Sequence, residues 1–306
     1  MIEELRKKQI EKVKAKKKKK KKIAFSVAFS LLIIIGVLSY FYIVKQNESF
    51  EVTKYELTST KIEGEFKIVL MSDLHNKEFG DKNKELVSEI KNISPDLIIM
   101  CGDMVQKDEP DITVLMNLCS QLKDVADIFF VYGNHEGVLE YDPEGPQIIL
   151  EKYLMEEGVT VCYPGEYKII KNDTEIGFFS VSVSDETYKT NTTLQKQFKE
   201  FTEKDCFKIV ASHYPEILYN VLSEENYDLG VAGHYHGGQI ILPKLGGLYH
   251  ADTGFFPKYY GGLYQLTNAK LIITRGLGSS SLIPRINNKP ELVFIDINGS
   301  EEGGMI

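Results

Sequence analysis

The sequence predicts an α/β protein of four layers, two sheets face to face with helices outside, carried behind an N-terminal transmembrane helix. Three observations point there: an uncharged apolar stretch of 22 residues near the N-terminus, short β-branched runs alternating with helical patterns from Phe66 onward, and a surplus of strand-like runs over helical ones in the second half. The first has the length of a membrane span, the second is the grammar of α/β folds, and the third favours paired sheets over one doubly wound sheet.

The apolar stretch is Ile23–Val44. At about 1.5 Å of rise per residue it crosses a hydrocarbon core of about 30 Å. It exceeds the apolar region of a cleaved signal, roughly 7–15 residues, and no A-x-A-like site follows, so a retained anchor is expected. Residues 1–22 hold 12 Lys/Arg against three Glu, a balance of +9 in a chain of net charge −8, which leaves −17 for the remainder. A basic tail next to an apolar span fits an anionic lipid surface better than a nucleic acid, and the acidic body would repel a phosphate backbone. No nucleic-acid scaffold role is expected. The lysine run Lys16–Lys22 directly before the span places the N-terminus in the cytoplasm and the large domain on the extracytoplasmic side.

The chain of 306 residues, 43% apolar and 26% charged, is long enough to bury one full core. The expected organisation is a basic tail over 1–22, the span over 23–44, a linker and first strand over 45–65, the main domain over 66–298 and a tail over 299–306. Strands are predicted at Phe50–Thr60, Ile68–Met71, Leu97–Cys101, Ile128–Tyr132, Ile176–Val183, Phe207–Ala211, Leu229–Ala232, Gln239–Leu242, Leu271–Thr274 and Leu292–Ile297. Helical patterns fall at Asn83–Ile93, Ile112–Val125, Pro146–Glu157, Leu194–Thr202 and Glu216–Glu224. Cys101, Cys119, Cys162 and Cys206 form no metal-binding spacing and read as small buried apolar residues; their even number permits disulfides without assigning any.

Five polar signatures each begin where an apolar run ends: Asp73-Leu74-His75, Gly102-Asp103, Gly133-Asn134-His135, Ser212-His213 and Gly233-His234-Tyr235-His236. Carboxyl ends of strands are where α/β sheets gather their ligands, so the five are expected to converge. Five of the six histidines lie in these signatures, which isolated core histidines would not do. Carboxylates, imidazoles and one amide oxygen without thiolate suit Mn, Fe, Zn or Co rather than a cysteine-rich structural zinc site. Two divalent ions fit if one carboxylate bridges them, and Asp103, alone at a Gly-led strand end, is the natural bridge.

In this order, D-x-H, G-D, G-N-H-E, S-H and G-H-x-H-G-G-Q resemble the calcineurin-like metallophosphoesterase family over about residues 65–298. Within it the chain is similar to the membrane-associated bacterial phosphodiesterase branch, which also carries an R-G-L-G stretch, here Arg275–Gly278. The resemblance implies the metallophosphoesterase sandwich fold and hydrolysis of a phosphomonoester or phosphodiester. It assigns Asp73, His75, Asp103 and His236 to one metal and Asp103, Asn134, His213 and His234 to the other. It makes His135 a donor to the phosphate or leaving oxygen rather than a ligand. Two cations would lower the pKa of a shared water, so that hydroxide is available near neutral pH without a covalent phosphoenzyme.

Two positions depart from the family pattern. Gln106 stands where many relatives have an acidic residue, and Tyr235 stands between the paired histidines where Thr is common. Neither is a ligand position; what they touch is second to the metals. Arg275 reads either as a contact for the substrate phosphate or as a structural salt bridge. His250 reads as surface or substrate rim, and the aromatic segment Phe255–Tyr264 as loop packing in preference to a lipid contact. The anchor favours a substrate at the membrane, such as a lipid-linked phosphoester. The competing class is a non-catalytic binding module of the same fold at the membrane.

Overall fold

The structure, a computed structural model, describes residues 1–109, 111–141, 149–281 and 283–300. It divides into two units, Met1–Gln46 and the chain from Asn47 onward. The first is one helix, α1 (Ile2–Asn47), with no buried residue. It is long and apolar enough to cross a membrane. The basic tail and the span, read separately from sequence, form one helix because Lys, Glu, Gln, Arg and Ala are strong helix formers and no proline interrupts them.

The second unit follows in the order β1 (Glu51–Ser59), β2 (Glu65–Met71), α2 (Lys84–Ile93), β3 (Leu97–Cys101), α3 (Thr113–Leu122), β4 (Asp127–Val131), α4 (Asn134–Tyr141), α5 (Leu150–Glu156), β5 (Thr160–Cys162), β6 (Gly165–Lys171), β7 (Thr174–Ser180), α6 (Asp185–Thr190), α7 (Thr192–Thr202), β8 (Phe207–Ala211) and β9 (Leu229–Ala232). Two small hairpins come next, β10 (Ile241–Leu242) with β11 (Gly246–Gly247) and β12 (Tyr249–His250) with β13 (Gly254–Phe255), then β14 (Gly262–Gln265), β15 (Lys270–Ile273) and β16 (Glu291–Gly299). One six-stranded sheet has the order β1-β16-β2-β3-β4-β5 and the other β14-β15-β9-β8-β7-β6.

Period-two alternation builds the layers. Ile68, Leu70, Ile99 and Cys101 of the first sheet meet Ile209, Ala211, Leu229 and Val231 of the second in one buried core. The intervening Val69, Met71, Ile98 and Met100 face α2, α3 and α5 instead. Val210, Leu271 and Ile273 face α6, α7 and the segment around Ile217. This is the four-layer α/β/β/α sandwich expected from the sequence. The outer helices show the same logic: Asn191 caps α7 by accepting from the Leu194 amide at 3.0 Å, and Leu194, Phe198 and Phe201 form its buried stripe.

Some elements differ from expectation. Residues 217–221, within the predicted helix Glu216–Glu224, form a π-helical turn with Ile217 and Leu218 buried. The strand at Gln239–Leu242 shrinks to Ile241–Leu242, which pairs with the short β11, while Ile240 forms an isolated bridge to Ile286. The predicted strand Ile176–Val183 is β7, but the sequence reading has no β6, although the turn that joins the two, Asn172-Asp173, has both residues at positive φ, 48° and 62°, which suits Asn and Asp. Of the predicted helix Pro146–Glu157, residues 146–148 lie outside the described residues, as does most of the predicted tail 299–306; α5 accounts for the rest of that helix. All four cysteines are buried and free.

Candidate metal centre

Strands β2, β3 and β4 run parallel, as do β8 and β9, so the loops that follow them open at the same edge of their sheets. Asp73, His75, Asp103, His213, His234 and His236 are delivered from these loops, and Asn134 and His135 from the first turn of α4 directly after the β4 loop. Five of them, Asp73 (φ 54°), His75 (48°), Asp103 (54°), His234 (73°) and His236 (47°), occupy left-handed backbone conformations. Non-glycine residues there are strained, and such strain gathers where side chains must be aimed at one point. The loops also pass very close to one another. Gly102, at φ 80°, would bring a β-carbon within 2.6 Å of the Gly133 amide nitrogen, and a β-carbon on Gly133 would strike the Asp103 carboxylate.

Asp103 is the hub. Its Oδ2 lies 3.5 Å from His213 Nε2, 3.8 Å from His135 Nε2 and 3.9 Å from His75 Nε2, while its Oδ1 accepts from the His135 amide at 2.9 Å. His236 Nε2 stands 3.6 Å from Asp73 Oδ1, and Asp73 Oδ2 accepts from the His234 amide at 3.0 Å. Ring orientations are set by outer partners. His213 Nδ1 lies 2.8 Å from the Cys101 carbonyl, to which it donates, leaving Nε2 toward Asp103. His234 Nε2 lies 2.8 Å from Asp252, leaving Nδ1 inward, 3.1 Å from His213 Nε2. The Lys107 amide donates to His135 Nδ1 at 3.1 Å, so the neutral ring carries its proton on Nε2.

Charge at the centre follows from burial. Burial pushes His75 down to about 3 and His234 to about 4, and holds His236 well below its usual value, so these rings are neutral at pH 7 with lone pairs free to ligate. Burial opposes charge on His213 too, but Asp103 outweighs it and lifts the ring to about 10. Burial would likewise raise Asp103, yet the surrounding imidazoles hold it well below the usual carboxylate range. Burial and the Asp103 charge raise Asp73 to about 6, against the pull of His213.

The donor set fits divalent cations. Asp73 Oδ1, both ring nitrogens of His75 and Asn134 Oδ1 are buried with no hydrogen-bond partner among the described residues, and an unpartnered buried polar atom costs about 1–3 kcal/mol. Asp73, His75 and His236 can place one ligating atom each within 4.8 Å of one another, and so can Asp103, His213 and His234. A cavity of about 310 Å³ opens on Asp103, Asn134, His135, His234 and His236.

The family model for calcineurin-like phosphoesterases matches residues 66–238. The chain belongs to that family. It is therefore a metal-dependent hydrolase of phosphoric esters, and the family uses divalent metals. It is 27% identical over 234 residues to an uncharacterized metallophosphoesterase, YkoQ, of Bacillus subtilis, covering 75% of this chain and 83% of that one. It is 26% identical over 260 residues to the phosphodiesterase YaeI of Escherichia coli, covering 81% and 88%. A transmembrane protein with a metallophosphoesterase domain from Danio rerio is 22% identical over 279 residues, covering 86% and 61%. The apolar N-terminal helix fits a membrane anchor for this phosphoesterase.

Other residues at the centre took on roles that sequence reasoning missed or left open. Arg275 does not line the cavity. Its guanidinium pairs with Glu291 at 2.8 Å and with Glu51, which is the salt bridge of its two readings. His250 does line the cavity, as rim, with its ring 4.9 Å from that of His234. Glu136, quoted only as the last letter of G-N-H-E, is fully buried and accepts from the amides of Asp103 (2.8 Å), Met104 (2.7 Å), Val105 (3.3 Å) and Gly133 (2.8 Å), clamping two site loops together. Arg285, buried and outside every signature, reaches the Gly278 carbonyl at 2.9 Å through Nε and His236 Nδ1 at 3.3 Å. Tyr235 lines the cavity as well and packs in the second outer core, its hydroxyl 2.7 Å from that of Tyr219.

Proposed function

We propose that Asp73, His75, Asp103 and His236 hold one divalent ion, that Asp103, Asn134, His213 and His234 hold a second, and that the pair, drawn from Mn, Fe, Zn or Co, serves hydrolysis of a phosphomonoester or phosphodiester. The observation that carries this reading is the set of buried, unpartnered donor atoms on Asp73, His75 and Asn134. Two such ions supply hydroxide from water near neutral pH and neutralise charge on the phosphoryl group. The chain's own residues do the rest. Asp103 orients His135 through its amide, and the Lys107 amide fixes the His135 tautomer with Nε2–H facing the cavity. That proton is placed to pass to a leaving oxygen. His135→Ala is expected to keep its metals and lose about 10²–10⁴-fold in turnover, read by metal analysis beside rates on bis-p-nitrophenyl phosphate. Unchanged turnover would remove His135 from the mechanism.

Ligation by His213 Nε2 requires the proton that Asp103 stabilises there to leave. In metal-free protein the stability contributed by this raised pKa is fully present below about pH 6.5 and fades as pH rises toward about 10. Metal loading at pH 7 is therefore expected to release a proton, measured by calorimetry in buffers of differing ionisation enthalpy. Binding heats independent of buffer would contradict this ligand set.

The hydrolytic domain is residues 66–298, joined by the linker and first strand 45–65 to the span 23–44, with the basic tail 1–22 in the cytoplasm and the catalytic domain outside. The lysine run before the span supports this orientation. The substrate is then a phosphoester presented at the membrane. Protease added to intact, wall-stripped cells should digest the domain, and a protected domain would reverse the topology.

A further inference from the structure

Around the mouth of the metal cavity the chain exposes large apolar side chains that no core takes up. Tyr249 on β12 stands against Phe255 on β13 with ring centroids 4.9 Å apart, and Phe255 is 71% exposed. Phe256 is 51% exposed and sits at φ 53°, a conformation that costs a bulky residue energy and that its amide secures by donating to the Leu248 carbonyl at 3.0 Å. Ile283, 55% exposed, stands on another part of the rim, where Gln239 holds its carbonyl. Tyr249 and Ile283 both line the cavity, together with Ile240 and Leu248, so the apolar rim continues into an apolar wall above the ligands. The rest of the aromatic segment behaves as the sequence reading favoured: Tyr259 and Tyr264 pack against the second outer core.

Cations bracket this rim. Lys244 precedes the exposed Leu245 at the tip of β10–β11, and Lys258 follows Phe256 by two residues with its ammonium over the Tyr259 ring. Asp252, the acid among them, is drawn inward to His234. Exposed aromatics bracketed by lysines form the composition that sits at an anionic bilayer interface, where rings enter the headgroup boundary and ammonium groups meet phosphates. Chain connectivity supplies the bilayer: β1 begins at Glu51, seven residues after the apolar stretch ends at Val44.

We infer that Tyr249, Phe255, Phe256 and Ile283, with Lys244 and Lys258, form a face that seats on an anionic lipid surface and admits to the cavity the phosphoester head of a molecule with a hydrocarbon tail. Only the last clause rests on the hydrolytic reading. The chain contains no tryptophan, so Phe256→Trp installs a single reporter, and Ile170→Trp, at a 58% exposed site on the edge strand β6, is the control. Both full-length variants would be reconstituted into vesicles of phosphatidylglycerol and phosphatidylcholine, with and without bromine on the acyl chains. Bromolipid is expected to quench the residue-256 emission roughly two-fold or more and the residue-170 emission by less than about a tenth, with the former weakening when phosphatidylglycerol is omitted. No quenching at residue 256, or equal quenching at both sites, would overturn the inference. So would residue-256 emission that follows protein density rather than bromine, which would put a second copy of the chain on the rim. Turnover of p-nitrophenyl phosphate, bis-p-nitrophenyl phosphate and a phosphoester lipid in the same vesicles separates the two readings: quenching with none of the three hydrolysed defeats the hydrolytic reading alone, and hydrolysis without quenching defeats this one alone.

Discussion

Asp103→Asn is expected to lower hydrolysis by about 10³-fold or more while the protein stays folded, the largest effect of any single change at the centre. The amide keeps the acceptor that receives the His135 N–H at 2.9 Å, so the loop is retained. It removes the one carboxylate lying within 3.9 Å of His75, His135 and His213, and with it the charge that two adjacent cations require between them. His213, raised by Asp103, returns toward a neutral ring. Metal analysis should find one ion or fewer per chain, and the far-UV circular dichroism of the metal-free variant should match the parent's. Two bound ions with full turnover would show that Asp103 is not the bridge.

Glu136→Gln should act the other way round, through the fold first and the metals second. Oε2 accepts from Asp103 and Gly133, and Oε1 from Met104 and Val105, so either orientation of a glutamine amide turns its NH₂ toward two backbone donors. Orphaning buried donors costs roughly 1–3 kcal/mol each, so a loss of about 2–6 kcal/mol and a melting temperature lower by about 10 °C are expected. Because the clamp joins the loops carrying Asp103 and Asn134, metal affinity should fall about 10–100-fold. Calorimetry on metal-free and loaded protein tests both. An unchanged melting temperature would mean that these bonds contribute little.

What was legible in the sequence follows from its periodicities. Alternating apolar residues in β2, β3, β8 and β9 placed the strands, and polar signatures directly after them placed the site, because both depend on neighbours along the chain. Residues whose roles depend on the assembled loops were not legible. Glu136 acts through amides 31 to 33 positions away, Arg285 meets His236 across 49, and Asp252 turns His234 across 18. Arg275 was ambiguous for the same reason, since its partners Glu51 and Glu291 lie 224 and 16 positions away. The exposed rim at Phe255 and Phe256 was indistinguishable in sequence from the packed Tyr259 and Tyr264, as aromatic content says nothing of which side a ring faces.

The most direct test of the account is turnover of p-nitrophenyl phosphate and bis-p-nitrophenyl phosphate by the full chain after chelation and after reloading with Mn, Fe, Zn or Co. The account predicts no hydrolysis by the chelated protein, recovery in step with binding of two ions per chain, and a ratio of the two rates that ranks monoester against diester. Folded protein that binds two ions and turns over neither compound nor a phosphoester lipid in vesicles would contradict it and leave a metal-binding module in place of a hydrolase.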